Sequence, residues 1–459
     1  MTHPLLALSP VDGRYSELVE DLRPHLSEFG LIKSRLAVEV EYLEFLRRRR
    51  AAPIGPNDVE AARSVLRSFD LSAAEAVKAI EREVGHDVEA LVRYLKSELA
   101  RLGAKGVAVW VHAGLTSEDV NNLAFSISLR GAVREVLVPE LEGLCAELAD
   151  LSMREKGTLM LARTHGQPAV PTTLGKELAY HGSRVLRAID ALREFRFPGK
   201  LSGAVGTYAA LVEVFGRDAL EAAREFVESL GLEFVELTKQ VIPADRYAPL
   251  LDSMASLSMA LTDLSRDLWL LSALGHVTVL SRGVGSSTMP QKANPVEVEN
   301  AEGNLELASS ILTFASRRLQ TTRLQRDLSD STVRRNVPVG VAHLLIGVRQ
   351  LRRFLGRIGF DREAMLEELR SHPEALSEAV QVRFRRLGVD AIDELRSLLR
   401  QGLGVEEAAR RVAERHGVRA EDVVPRDFGE YVGLAGELAE RFAAECRRRV
   451  GRVGEGRAW

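Results

Sequence analysis

Cysteine is nearly missing from this sequence. Two occur among 459 residues, Cys145 and Cys446, too few for a disulfide framework and in keeping with a reducing compartment. An excess of one charge is missing too. The 62 basic and 65 acidic residues leave a formal net charge of −3, with no bulk attraction to nucleic acid or to an anionic membrane. The most apolar run, LWLLSALGHVTVL, is too short to span a bilayer and contains a histidine. The opening MTHPLLALSPVDGRY has no basic leader followed by an apolar core, so no secretory signal is expected. No internal repeat, low-complexity tract, P-loop, GxGxxG or HExxH stands out. A cytoplasmic, soluble protein with no metal or other cofactor is the expectation these absences leave.

A hydrophobic fraction of 46% and a charged fraction of 28% belong to a folded chain. The length suggests about two to four domains at roughly 100–200 residues each. Two segments set the architecture. Leu250, Met254, Leu257, Leu261, Leu264, Leu268 and Leu271 alternate steps of four and three, as do Leu137, Leu141, Leu144, Leu148 and Leu151. An apolar period of about 3.5 residues predicts long helices packed side by side at shallow angles.

The helix carrying the second seam is expected to start at LTSEDVNNL, with Thr116 as cap and Asp119 returning the bond, and to kink at Pro139. Another should start at Asn294, with Pro295 in the first position and Glu297 and Glu299 at the positive end of its dipole. Further helices are predicted over residues 171–195 and 341–358. The fold class is all-α: a long central bundle over residues 111–355, flanked by shorter helical domains over 1–110 and 356–459. Continuous seams of this length predict burial against other subunits. The arginine runs 47–50 and 447–449 read as solvated helix faces.

Polar islands punctuate these helices. SPVDGRY offers a turn at Asp12-Gly13, then Arg14 and Tyr15; read alone it is most simply an N-terminal turn. EREVGHDVEA places His86 beside Asp87 on a predicted helix, without metal-ligand spacing. LARTHGQPAVPTT sets His165 among a glycine and two prolines between helices, which suits proton transfer as well as it suits a structural turn. GVGSSTMPQKANPVEVEN presents Ser286, Ser287, Thr288, Lys292 and Asn294 ahead of a helix start, a place to hold a developing negative charge. RLQRDLSDSTVRRN gathers Arg326, Ser331, Arg334 and Arg335, which would grip a phosphate or carboxylate in a cleft and form ion pairs on a surface. Together these point to acid–base chemistry on an anionic small molecule and leave the reaction unnamed.

GSSTMPQKANP resembles the signature loop of the fumarase/aspartase superfamily, whose members eliminate fumarate from succinyl-bearing substrates. SPVDGRY, EREVGHDVEA, TSEDVNNLA, RTHGQPAVPTTLGKE, GSSTMPQKANPVEVENAEGN and RLQRDLSDSTVRRN follow in the order and spacing of its bacterial-type, purine-nucleotide branch. The resemblance runs nearly end to end. It implies a three-domain, mainly helical subunit, a homotetramer sharing a central bundle, and active sites that each draw on three subunits.

The resemblance also implies roles. Ser286 would be the general base and His165 the general acid. Ser287, Lys292 and Asn294 would hold the succinyl carboxylates, with Thr116 and Ser117 from another subunit. Arg14, Tyr15, Arg326, Ser331 and Arg335 would grip the nucleotide phosphate and its surroundings. His86 and Asp87 would stand near the phosphate and the acid, and Gln240 and Asn300 would complete the contacts. One residue departs from the pattern. Gln291 precedes the loop lysine where this branch commonly has histidine, and glutamine there is familiar from argininosuccinate lyase, which stays as the alternative. A non-catalytic scaffold would be expected to have lost Ser286, His165 or Lys292, and all three are present.

Overall fold

A computed structural model describes residues 4–279, 289 and 292–450. Helix α1 (Glu28–Arg48) opens with Ser27, whose hydroxyl accepts from Gly30 N at 3.1 Å. It is buried on most sides, with Leu36, Val40, Leu43 and Phe45 in the core. Helix α2 (Asp87–Arg101) starts at His86, whose ring nitrogen Nδ1 accepts from Glu89 N at 3.3 Å. His86 is thus a cap rather than a residue inside the helix.

Helix α3 (Ser117–Gly131) begins with the expected capping box, in which Thr116 N donates to Asp119 Oδ2 at 2.9 Å. It runs through a π-helical stretch, Ala132–Leu137, into α4 (Val138–Arg154). The wider stretch ends two residues before Pro139, whose missing N–H and bulky ring disturb the regular ladder one turn back. The anticipated distortion is therefore an insertion before the proline.

Strands β1 (Leu159–Thr164) and β2 (Gln167–Thr173) form an antiparallel hairpin, followed by α5 (Leu174–Glu194). The remaining long helices are α6 (Ala248–Ala273), α7 (Val296–Arg318) and α9 (Val337–Leu355), with the short α8 (Ser329–Arg334) between the last two. Helices α10 (Arg362–Ser371) and α11 (Ala435–Val450) belong to the C-terminal region. Helix α7 starts one residue later than the Asn294 cap predicts: Pro295 O accepts from Val298 N and Glu299 N. The fold is mainly helical, and the strands are short. Besides the hairpin, Pro198–Gly199 pairs in parallel with Glu233–Phe234, and Val277–Val279 pairs antiparallel with Ile358–Phe360.

Two compact units divide the chain. The first comprises Met1–Glu140, Ala188–Met259 and Asn304–Gly347; the second comprises Leu141–Arg187, Ala260–Gly303 and Val348–Trp459. The leucine seams are core in both. Leu250, Met254 and Leu257 are buried in the first unit, as are Leu261, Leu264, Leu268, Leu141, Leu144 and Leu148 in the second; Leu271 is only half-buried. In the first unit α7 and α9 approach closely at Gly347, where a Cβ would stand 2.5 Å from Leu305 Cγ. Larger residues there would force the helices apart.

Candidate active site

The capping box at the start of α3 reaches deeper than a cap. Asp119 and Lys200 are both 0% exposed and lie 2.7 Å apart. Asp119 Oδ1 also accepts from Ser202 N at 3.0 Å, and Lys200 Nζ donates to Gly203 O at 3.1 Å. Lys200 N in turn donates to Asn122 Oδ1 at 2.8 Å. A buried ion pair tolerates desolvation only when its remaining donors and acceptors are met, and here most are met by backbone. The pair ties the first turn of α3 to residues 200–203 and so fixes where Ser117 and Glu118 point.

They point into a cavity of about 580 Å³ in the first unit, lined by residues that include His86, Asp87, Ser117, Glu118, Arg326, Ser331, Arg334 and Arg335. Arg334 Nη1 donates to Glu118 Oε1 at 2.6 Å and its Nη2 to Asp330 Oδ2 at 2.6 Å. Arg326 Nη1 lies 3.3 Å from Glu118 Oε2. Burial pushes the Glu118 pKa up, but the Arg334 and Arg326 guanidiniums outweigh it and hold the carboxyl below its usual range. Burial likewise works against the Arg334 charge, and Glu118 and Asp330 more than restore it.

A second charged chain lines the same cavity. Arg35 Nη2 donates to Asp87 Oδ2 at 2.8 Å, and Arg335 spans Glu28 Oε2 at 3.0 Å and Asp87 Oδ2 at 3.3 Å. Burial raises the Asp87 pKa, while Arg35, the Val88 N–H and Arg335 bring it below the ordinary value. The carboxylates orient the guanidiniums without exhausting them, since each carries five N–H donors. Arg326 Nε stands 3.6 Å from Asp330 Oδ1, which leaves its other nitrogens to Glu118, Gln240 and the cavity. Such an arrangement can take an anion bearing several acceptor oxygens. Gln240 adjoins it, its Oε1 accepting from Arg326 Nη1 at 3.3 Å and its Nε2 donating to Ala204 O at 3.0 Å.

The other candidate residues fall elsewhere. Arg14 and Tyr15 belong to the first unit but do not line the cavity; Tyr15 N donates to Pro10 O at 2.8 Å, closing the turn expected of SPVDGRY. His165 belongs to the second unit and stands exposed at the tip of the β1–β2 hairpin, not on an irregular link between helices. His165 and Gly166 form the two-residue turn with φ of 55° and 73°. Histidine enters the left-handed region more readily than most side chains, and glycine does so freely. The ladder behind the turn is irregular where Leu161 and Arg163 face Pro171 and Pro168, which have no N–H to give.

Lys292 is exposed, and its N donates to Met289 O at 3.1 Å; Asn294 and Asn300 flank the start of α7, half-buried. Ser286 and Ser287 lie outside the described residues, as does Gln291.

Sequence reasoning missed Glu118, read only as part of a helix start, and Arg35, which has no local signal inside α1. Arg334 was visible in its arginine cluster, but not that a glutamate 216 positions away would hold it.

The family described as Lyase matches residues 31–308, and the one described as Adenylosuccinate lyase C-terminal matches residues 322–423. The chain is 36% identical over 454 residues to adenylosuccinate lyase of Haemophilus influenzae, covering 96% of this chain and 99% of that one. It is 38% identical over 394 residues to the Escherichia coli K12 protein of the same name, covering 84% and 86%. Among solved structures, the fold is similar to a fumarate lyase from Mesorhizobium sp. BNC1, with TM-score 0.76, 21% identity and coverage of 93% and 97%. It is also similar to the 3-carboxy-cis,cis-muconate lactonizing enzyme of Pseudomonas putida, with TM-score 0.75, 23% identity and the same coverage.

Proposed function

The chain belongs to the adenylosuccinate lyase family, fumarate-releasing C–N lyases of purine biosynthesis, and from that premise we propose how its residues divide the reaction. A base removes a proton from the succinyl carbon beside a carboxylate. The electron pair forms the new double bond of fumarate as the C–N bond breaks, and an acid protonates the departing purine amine. Ser286 is the base and His165 the acid, each supplying about 10²–10⁴-fold. Serine has to act as an alkoxide, so it needs the positive potential of Lys292 and of the N-terminus of α7. The same potential stabilises the carbanion beside the carboxylate. Ser287, Lys292 and Asn294, with Thr116 and Ser117 from another subunit, hold the succinyl carboxylates.

The observation that carries this reading is the cavity. His86, Asp87, Ser117, Arg326, Ser331 and Arg335 come from three distant stretches of sequence and line one space with their guanidinium groups. That suits the phosphate end of adenylosuccinate, with Arg14, Tyr15, Gln240 and Asn300 completing the contacts. The same features fit the succinyl-aminoimidazole-carboxamide ribotide, which we take as a second substrate. Argininosuccinate, the alternative raised by Gln291, offers no phosphate for this cavity, and the relatives above do not favour it.

The working form is a homotetramer in the cytoplasm, its subunit divided at about residues 110 and 355. Support comes from apolar side chains left in the open on bundle helices: Trp269 and Leu270 on α6 and Leu307 and Phe314 on α7, the last 60% exposed. A second copy would cover them. No helix among the described residues is long and apolar enough to cross a membrane.

The test is fumarate release from adenylosuccinate and argininosuccinate by the wild type, Ser286→Ala and His165→Ala. Release from adenylosuccinate alone, lost in both variants, is the expected result. Release from argininosuccinate would overturn the substrate, and activity surviving in Ser286→Ala would overturn the base.

A further inference from the structure

The last helix docks through small residues. Ala435, Ala439, Ala443 and Cys446 are buried along α11 at steps of four, four and three. Helix α5 receives it at Gly182, where a Cβ would stand 2.1 Å from Phe442 Cζ. Lys156 pairs with Glu440, and Arg447 with Asp150 at 3.4 Å. All of these residues belong to the second unit.

This seat brings together the two cysteines of the whole sequence. Cys145 on α4 and Cys446 on α11 are 301 positions apart, yet their Sγ atoms lie 3.0 Å from each other. They are not joined by a disulfide, and they are 0% and 1% exposed. The hydrogen bond with Cys145 holds the Cys446 thiol below its ordinary pKa, against the opposing effect of burial.

We propose that Cys145 and Cys446 are a covalent modification site, forming an intramolecular disulfide that staples α11 to α4. The oxidant is a small-molecule disulfide. The Cys446 thiolate attacks one of its sulfurs and expels a thiolate; the Cys145 thiolate then attacks Cys446 Sγ in the mixed disulfide and expels the second. One protein S–S bond forms, the reagent's S–S bond is reduced, and the two protons leave with the released thiols. Access comes while the terminal helix is undocked, during folding or by fraying. The closed loop spans most of the chain, which in the chain-entropy account constrains the unfolded state strongly. Burial then shields the bond from reductants, so the staple does not require an oxidising compartment.

The full chain is incubated in oxidised glutathione, denatured with an alkylating agent and weighed intact. The expected product carries no alkyl groups and is about 2 Da lighter than the reduced chain. Its melting midpoint should stand several degrees above that of the reduced chain, a difference absent in Cys446→Ala. Cys145→Ala serves as the second variant should Cys446→Ala unseat α11. Both variants should release fumarate normally in reducing buffer. Two alkylated thiols per chain after oxidation would overturn the proposal. So would a retained glutathione adduct, or a disulfide-linked dimer on a non-reducing gel.

Discussion

The wall of the cavity and the tip of the β1–β2 hairpin are built on opposite principles. At and just behind the wall, Glu118, Asp330, Asp119 and Lys200 are buried and Arg334 half-buried, all of them cross-paired, and their positions are over-determined. At the tip, His165 stands exposed on a two-residue turn in left-handed backbone. A phosphate is held by rigid, preoriented donors, because each donor that must be immobilised at binding weakens it. A group that moves protons needs access to its partner and a pKa near neutrality, which burial among charges would disturb. The contrast predicts that damage to the wall shows first in stability and damage to the tip first in rate.

The largest effect should come from Lys200→Met. It leaves the Asp119 carboxylate buried without its cation, at a cost of about 3–5 kcal/mol. Urea unfolding of the variant beside the wild type reads this directly, and a loss below about 1 kcal/mol would show that the wall does not depend on its deepest pair. His165→Asn is the converse. It should lower kcat by about 10²–10⁴-fold while the melting midpoint stays put; a large fall in stability would place the histidine among the structural groups and break the contrast.

Thr116→Val should cost about 1 kcal/mol through the lost cap. It should also raise KM, because the turn carrying Ser117 loosens.

The smallest effects concern pH, and here two histidines, one in each unit, differ in sign. Asp87 and Glu118 have folded pKa values held below those of the unfolded chain. Their stabilisation is complete above the unfolded value of about 4 and is lost as pH falls through the folded values. In the first unit, burial lowers the His112 pKa but its bond to Glu39 Oε1 at 2.6 Å raises it further, giving a net increase. That contribution is present below about pH 6.5 and fades as pH rises through the folded value. In the second unit His276 is lowered, by burial first and by Arg163, with Glu368 opposing. Its contribution is present above about pH 6.5 and fades on acidification. Glu39→Gln should therefore remove a loss of stability on the alkaline side, whereas His276→Gln should remove one on the acid side. Melting curves across pH 5–9 would show equal slopes in both variants if the two environments were in fact alike.

What could be read from sequence was local or periodic. The leucine seams, the Thr116–Asp119 box and the start of α7 depend on residues three or four apart, whose relation is set by the geometry of the helix itself. Motifs carried the family and most of the cavity's residues for the same reason, since each lies within one short stretch. The hairpin at His165 was missed because two prolines look like a loop, and their strand character depends on the partner strand. Glu118 facing Arg334, Asp119 facing Lys200 and Cys145 facing Cys446 were decided by tertiary structure alone. A charge or a thiol carries no sign in the sequence of what it will meet, because its partner is chosen by how distant helix faces pack.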